Sequence, residues 1–261
     1  MLLCQRDLAS CGACCGLYNR ADPSRGPLRA ELRRRTRALA GVPRTPEAFR
    51  EAGRRLEAEG PSPLFPSVRV CALLGFLDGG ETRIGCLAHP AATGGPDLRD
   101  HGVYDRRTCE TFLCPSFSWL TEEEADIAEA ATAGDYHLYG LVVTDVPFLR
   151  AVLAAVADGA GARVESRHVA NERFRGTLRK LLALKEELAP GSEGLFGAFA
   201  AGPTGEDTPR RIDYAAIGRA GSRYDAILTC AGADPRSGND LDQLEAEVIR
   251  RLDAAIRVFS G

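Results

Sequence analysis

The 261-residue chain has little lysine and no apolar run long enough to cross a bilayer, for which about 20 residues are needed. Lys180 and Lys185 are its only lysines, and the net charge is −3. The first seven residues lack both a basic region and a long apolar segment, so they do not predict a secretory signal. We therefore expect a cytoplasmic protein whose partner is a small-molecule or protein substrate, and not a nucleic acid or a membrane.

Common catalytic signatures are absent as well. The glycine-rich segments 194–197 and 202–205 lack the Lys-Ser/Thr pair that completes a phosphate-binding loop. No G-x-S-x-G elbow is present either. The sequence therefore does not indicate a P-loop nucleotidase or a serine hydrolase of the α/β-hydrolase type.

What the sequence does have is cysteine, nine in all. An odd number leaves one sulfur over in a closed disulfide framework. In a reducing compartment, cysteines are kept as free thiols and seldom form disulfides. Both considerations favour metal binding over disulfides.

Three of these cysteines, Cys11, Cys14 and Cys15, lie within five residues, with Gly12 after the first and Gly16 after the last. The glycines allow the backbone to fold tightly, and C-x-x-C spacing lets two sulfurs reach one metal. Because neighbouring side chains diverge, the adjacent cysteines leave three arrangements open. They bind two metals, or two atoms of one cluster, or only one of them binds.

A second group of cysteines, Cys86, Cys109 and Cys114, can complete the site, and Cys4 can fold back onto it from the same loop as the first group. Six thiolates are more than one tetrahedral zinc uses. They fit a [4Fe–4S] cluster with spare ligands, or two metals that share bridges. In the alternative interpretation, one or two of them are buried small hydrophobes, as we predict for Cys71 and Cys230.

Polar residues between the two groups are candidates for proton transfer. His101 and Asp100 lie in a glycine-rich loop and are the candidate acid or base. His89, at the other end of this loop, is a candidate mixed ligand or proton donor. Surface roles are the alternative for all three.

The sequence predicts a mainly helical chain with one small β-hairpin, an α+β fold. Residues 1–118 form a cysteine-rich, metal-binding half with the hairpin, and residues 119–261 form a helical half that packs against it, either as one continuous domain or as two. Helices are predicted over 28–40 and from Thr45 to about residue 60. The predicted hairpin pairs residues 68–77 with 81–87.

In the second half, Thr121 and Glu124 form a capping box at a helix start. Residues 136–143 fit either a strand or a helix. Further helices are predicted from Asp145 to about residue 157, over about 165–188, and over a final apolar stripe from Leu241 to Phe259 that Asn239 or Asp240 caps.

The motif Cys11-Gly12-Ala13-Cys14-Cys15, followed by Gly85-Cys86-Leu87 and by Cys109 and Cys114 ahead of Pro115, resembles a bacterial C-x2-C-x2-C-C cysteine-cluster family. That family is described as carrying a zinc- or iron-chelating domain, and a similar domain occurs in flagellin lysine methylases, which implies an iron–sulfur option. The family's first cysteine falls on Leu8 here, and the resemblance implies Cys4 as its substitute. The resemblance covers roughly residues 8–117.

We therefore expect a protein that holds an iron–sulfur cluster, or a zinc or iron ion, on cysteines, and we favour the cluster. The site then supports redox or modification chemistry. The alternative is a structural zinc module with a helical partner-binding surface. A third hypothesis, nucleic-acid binding, depends on the arginine-rich run 33–37, which is otherwise a solvated helix face.

Overall fold

The computed structural model describes residues 3–66, 68–101, 104–188, 199–201 and 207–261. In these residues the chain is mainly helical with small antiparallel strand pairs, so the predicted α+β class is confirmed. The helices are α1 Arg25–Ala40, α2 Pro46–Ala58, α3 Pro90–Thr93, α4 Arg106–Thr111, α5 Pro115–Trp119, α6 Glu122–Ala131, α7 Tyr136–Val143, α8 Val146–Ala160, α9 Glu172–Leu182, α10 Leu184–Glu187, α11 Asp225–Cys230 and α12 Gly238–Phe259. The strands are β1 Leu74–Phe76, β2 Ile84–Cys86, β3 Phe199–Ala201 and β4 Asp207–Pro209.

The chain divides into two compact units. The first unit contains residues 1–114 and 134–140, and the second contains residues 115–133 and 141–261. Eight of the nine cysteines belong to the first unit, and Cys230 belongs to the second. The first unit therefore contains the candidate site.

In the first unit, a side-chain cap marks the start of the second helix but not of the first. Helix α1 follows Ser24 and stops at Gly41. The Thr45 side chain accepts a hydrogen bond from the N–H of Ala48 (3.4 Å), and Pro46 occupies the first position of α2. The two helices bury Leu39 and Phe49 in a shared hydrophobic cluster.

The predicted hairpin is present but shorter than expected. Strands β1 and β2 pair antiparallel, with Leu74 opposite Cys86 and Phe76 opposite Ile84. Leu73, just before β1, still accepts from the N–H of Leu87 (2.8 Å), but the pairing does not continue to Cys71, whose N–H donates to the carbonyl of Cys15 (2.9 Å). The N-terminal loop thus takes the backbone partner that a longer strand would have used.

In the second unit, the capping box of α6 is present. Thr121 accepts from the N–H of Glu124 (3.1 Å), and the Glu124 carboxylate accepts from the N–H of Thr121 (2.8 Å). Helix α12 buries Leu241, Val248 and Leu252 along one face, as its apolar stripe predicts.

Three expectations for the helices are corrected or settled. The helix predicted over 165–188 is broken at Asn171. The side chain of Asn171 accepts from the N–H groups of Arg173 and Phe174 and so caps the start of α9. The N-cap of α12 is Ser237, whose hydroxyl accepts from the N–H of Asp240 (3.1 Å). Residues 136–143, which fit either element, are helical.

Candidate metal centre

The N-terminal loop is joined to the hairpin by hydrogen bonds. The N–H of Ile84 donates to the hydroxyl of Ser10 (2.8 Å), and the side-chain amide of Gln5 donates to the carbonyl of Ile84 (2.9 Å). Within the loop, the N–H of Cys11 donates to the carbonyl of Cys4 (3.1 Å). These bonds place the N-terminal sulfurs beside β2, which ends in Cys86.

A tight turn in this loop carries the adjacent cysteines. Residues Ala13–Cys15 form one turn of 3-10 helix, and Gly16 ends it in the left-handed region at φ 78°. A Cβ on Gly16 would lie 2.5 Å from the carbonyl oxygen of Arg69 and 2.8 Å from the Cα of Val70. Glycine is required here both by its φ angle and by this close backbone approach.

Four cysteines interact around Cys114, and we name them the first sulfur set. The thiols of Cys14 and Cys114 are hydrogen-bonded to each other. The sulfurs of Cys4 and Cys11 both lie close enough to Cys114 for its charge to raise their pKa values. The set comprises Cys4, Cys11, Cys14 and Cys114, of which Cys4 and Cys14 are exposed, Cys114 is partly buried and Cys11 is buried.

Four other cysteines interact around Cys15, and we name them the second sulfur set. The two sets are also close to each other, because Cys11 raises the pKa of Cys15 and Cys15 raises that of Cys14. Cys15 and Cys86 pack against the hydrophobic cluster that contains Cys71. Burial raises the pKa of Cys15 well above its usual value, and the charges of Cys71, Cys86 and Cys109 raise it further. The pKa of Cys86 is raised to about 12. Burial is the main cause, and the charges of Cys71 and Cys109 add to it. The set is thus Cys15, Cys71, Cys86 and Cys109.

Neither set is a finished coordination shell. All nine cysteines lie in described residues, and none forms a disulfide. Within the described part of the chain, no three His, Cys, Asp or Glu side chains already have the arrangement of a metal site. Burial and mutual repulsion both oppose ionisation of these thiols, so several thiolates can coexist here only beside compensating positive charge.

Hydrogen-bond donors and one arginine supply part of that charge. The N–H of Ala13 donates to Cys11 Sγ (3.4 Å), and the N–H of Ala88 donates to the sulfur of Cys86. The Arg99 guanidinium lowers the pKa values of Cys86 and Cys109, against the larger effect of burial. N–H···S bonds and nearby cations are the usual outer partners of thiolate metal sites.

Arg99 is itself held by two carboxylates. Asp97 accepts from its Nε (2.9 Å) and Nη2 (2.6 Å), and Glu110 accepts from its Nη2 (2.7 Å). Asp97 therefore holds Arg99 in place. Because Glu110 follows Cys109 on α4, this contact also positions the helix that carries Cys109.

A second charged group lies on α1. Glu31 accepts from Arg34 (2.8 Å) and Arg35 (2.8 Å), and Arg35 also donates to the carbonyl of Cys71 (2.9 Å). Burial alone would raise the pKa of Glu31, but the hydrogen bonds from Arg34 and Arg35 outweigh it and lower this pKa to about 2. The arginine-rich run is therefore not a uniform solvated face, because Arg35 is buried and bonded to the segment that carries Cys71.

The candidate acid–base residues have other contacts. The Asp100 carboxylate accepts from the N–H of Arg106 (2.6 Å), at the start of α4. His89 Nδ1 accepts from the N–H of Ala91 (3.2 Å) and so caps α3. The side chain of His101 lies outside the described part of the structure. The two described candidates thus have local capping contacts.

Cys71 was predicted to be a core residue, and it is buried, yet the fold also brings it to the other sulfurs. A signal for this existed in the sequence, because eight cysteines lie between positions 4 and 114 and the remaining one lies at 230. Cys230 is buried in the second unit, where its carbonyl accepts from Lys185.

No protein-family model, no curated protein and no solved structure matches this chain. Among the described residues, no single helix is long and apolar enough to cross a membrane. Helices α7 and α8 reach that length and composition only together, and they are bent by 90° at their junction.

Proposed function

We propose that this protein binds a thiophilic metal, as an ion or an iron–sulfur cluster, on cysteines of its first unit. The observation that carries this proposal is the convergence of eight thiols from four separate segments of the chain. Cysteines packed only as small hydrophobes have no reason to cluster, whereas soft metals select several thiolates. The resemblance to the bacterial cysteine-cluster family supports the same proposal.

Metal binding would also resolve the electrostatics of the site. Ligand cysteines must be thiolates, and here burial and neighbouring sulfurs raise their pKa values. A divalent cation among them reverses that effect, as metals do in thiolate sites generally. Binding then draws together side chains whose backbone segments the fold has already brought close.

The exposure of Cys4 and Cys14 supports a site that takes part in chemistry. A metal on these sulfurs is open to solvent and to a substrate, and a cluster there would supply electron transfer. The alternative is a structural zinc module, with the helical second unit as a partner-binding surface. It is favoured by Cys11 and Cys71, which are buried, since closed sites stabilise folds.

Elemental analysis and an optical spectrum of anaerobically purified protein test the proposal. We expect stoichiometric metal, with brown colour if it is a cluster and no colour if it is zinc. Cys14→Ser and Cys86→Ser should lower the metal content, and Cys230→Ser in the second unit is the matched control that should retain it. Metal-free protein with unchanged stability under added Zn²⁺ or iron would contradict the proposal.

Chelation separates the two versions of the proposal. If the metal is structural, a chelator unfolds the first unit because binding and folding are coupled. If the site is chemically active, the chelated protein stays folded and loses its response to redox or substrate probes. Circular dichroism with and without chelator makes this distinction.

A further inference from the structure

We propose that one face of α1 binds a phosphate group, as inorganic phosphate or a phosphate monoester, and that Glu81 occupies this site as an internal competitor. The site consists of Arg29 and Arg33, with Tyr136 beside them. All four residues belong to the first unit. The proposal is independent of metal binding.

The two arginines hold one carboxylate between them. Arg29 Nε donates to Glu81 Oε2 (2.6 Å), and Arg33 Nε donates to Glu81 Oε1 (2.5 Å). Both arginines lie on one face of the helix, because they are four residues apart, and both are nearly half exposed. Their Nη groups make no hydrogen bond to any residue that the structure describes. A carboxylate has only two oxygens, whereas a phosphate group offers three acceptor oxygens and a larger charge to such forked donors.

The backbone of Glu81 is strained. In the described part of the chain it is the one residue other than glycine with a positive φ, at 57°. Glycine adopts this left-handed conformation freely, but a residue with a Cβ does not. Gly79 and Gly80 lie directly before it, yet the glutamate occupies the strained position. Strain of this kind indicates a role for the side chain, and the contact with the two arginines supplies one.

The hairpin turn does not need the Glu81 side chain for its own shape. Asp78 accepts from the N–H groups of Thr82 (3.0 Å) and Arg83 (3.2 Å), and from the hydroxyl of Thr82. These bonds close the turn over the same segment. The Glu81 carboxylate can therefore leave the arginines while the turn stays folded, as a competitor that a ligand displaces must do.

A buried hydroxyl lies beside the arginines. Tyr136 is 3% exposed, and its hydroxyl has no hydrogen-bond partner among the described residues. Its ring contacts Phe76 at the base of the hairpin (5.6 Å between centroids), and the preceding Asp135 accepts from Arg25 of α1 (2.6 Å). Burial raises the pKa of Tyr136 to about 12, while Arg25 and Arg29 lower it, which agrees with this position. Buried hydroxyls normally have a partner, so we assign this one as a donor to a phosphate oxygen.

Calorimetric titration of the full chain with inorganic phosphate, at constant ionic strength, tests the proposal. We expect weak binding to the wild type and about tenfold tighter binding to Glu81→Gln, for a carboxylate that occupies the arginines about nine-tenths of the time. Adding Arg33→Gln to Glu81→Gln should remove this gain. Glu51→Gln is the matched control and should leave the phosphate affinity unchanged, because Glu51 forms an exposed ion pair with Arg54 on α2.

A second variant protects the test against a folding defect. Glu81→Gly also removes the carboxylate, and it relieves the positive φ, so it should bind phosphate as tightly as Glu81→Gln. Circular dichroism confirms that both variants are folded. Folded variants that bind phosphate no more tightly than the wild type overturn the proposal. An equal gain in Glu51→Gln also overturns it, because net charge alone would then explain the effect.

The form of the phosphate is tested with two further probes. Phenyl phosphate is a monoester with a charge near −2, and dimethyl phosphate is a diester with a single charge, like the backbone of a nucleic acid. Glu81→Gln should bind phenyl phosphate the more tightly. Equal binding of the two would overturn the assignment to a monoester and would favour a nucleic acid.

Discussion

Replacing Gly16 by alanine should destabilise the loop that carries Cys14 and Cys15. Gly16 has φ 78°, and a Cβ there would lie 2.5 Å from the backbone oxygen of Arg69. Gly94 offers a matched comparison in the same unit. Its φ is 79°, and a Cβ there would meet no heavy atom within 4 Å. The two alanine variants therefore share the backbone strain and differ in the clash.

The expected magnitudes follow from these contacts. Left-handed backbone costs a residue other than glycine about 1–2 kcal/mol, and the stiffer unfolded chain of an alanine variant offsets about 0.4–1 kcal/mol. A 2.5 Å approach lies roughly 1 Å inside ordinary contact, and overpacking of this kind costs about 1–3 kcal/mol. We expect about 1 kcal/mol of destabilisation for Gly94→Ala and about 2–4 kcal/mol for Gly16→Ala.

Urea unfolding of both variants, with the wild type as reference, measures the difference. Since Gly16 follows Cys15 directly, Gly16→Ala should also weaken metal binding, and Gly94→Ala should not. Equal destabilisation by the two substitutions, within about 0.5 kcal/mol, would refute the close backbone approach of the loop.

Three further predictions concern charge and capping. Glu31→Gln should lower the free energy of unfolding by about 2 kcal/mol at neutral pH. The pKa of Glu31 is lowered to about 2 in the folded state, so its contribution is present above the ordinary pKa near 4.5 and is lost as the pH falls toward 2. The difference between wild type and variant should shrink over that window, and a difference independent of pH would contradict the assignment. In the second unit, Lys185 is fully buried against Asp145, so Lys185→Met should cost about 3–5 kcal/mol by leaving a buried carboxylate unpaired. Adding Asp145→Asn should recover part of this loss in urea unfolding, and no recovery would argue against the pair. Asn171→Ala should cost about 1 kcal/mol because it removes the N-cap of α9, whereas a stabilised variant would show that helix propensity prevails at the break.

Local signals in the sequence were sufficient for several elements. The Thr45 cap with Pro46, the Thr121 and Glu124 capping box and the apolar stripe of α12 each involve residues within one or two helical turns. Each can be read without knowledge of the fold, because the interacting groups are neighbours in sequence. The helix predicted over 165–188 failed for a related reason, since one side chain, Asn171, competed with the apolar periodicity and prevailed.

The sulfur sites depended on distant residues, and the sequence was correspondingly less informative there. The clustering of Cys11, Cys14 and Cys15 predicted a metal-binding loop, but the proximity of Cys71 to this loop did not follow from its apolar surroundings. The backbone hydrogen bond from Cys71 to Cys15 joins residues that lie 56 positions apart in the sequence. Asp100, a plausible acid or base from its position near the cysteines, instead binds the N–H of Arg106.

The sequence by itself determined the helical character of the chain, its one clear hairpin and the identity of most candidate ligands, because these depend on composition and on spacing over a few residues. Only the tertiary structure decided which distant segments bring their sulfurs near the N-terminal turn. That approach depends on long-range packing and on backbone bonds such as the one from Cys71 to Cys15, and neither is encoded in local spacing.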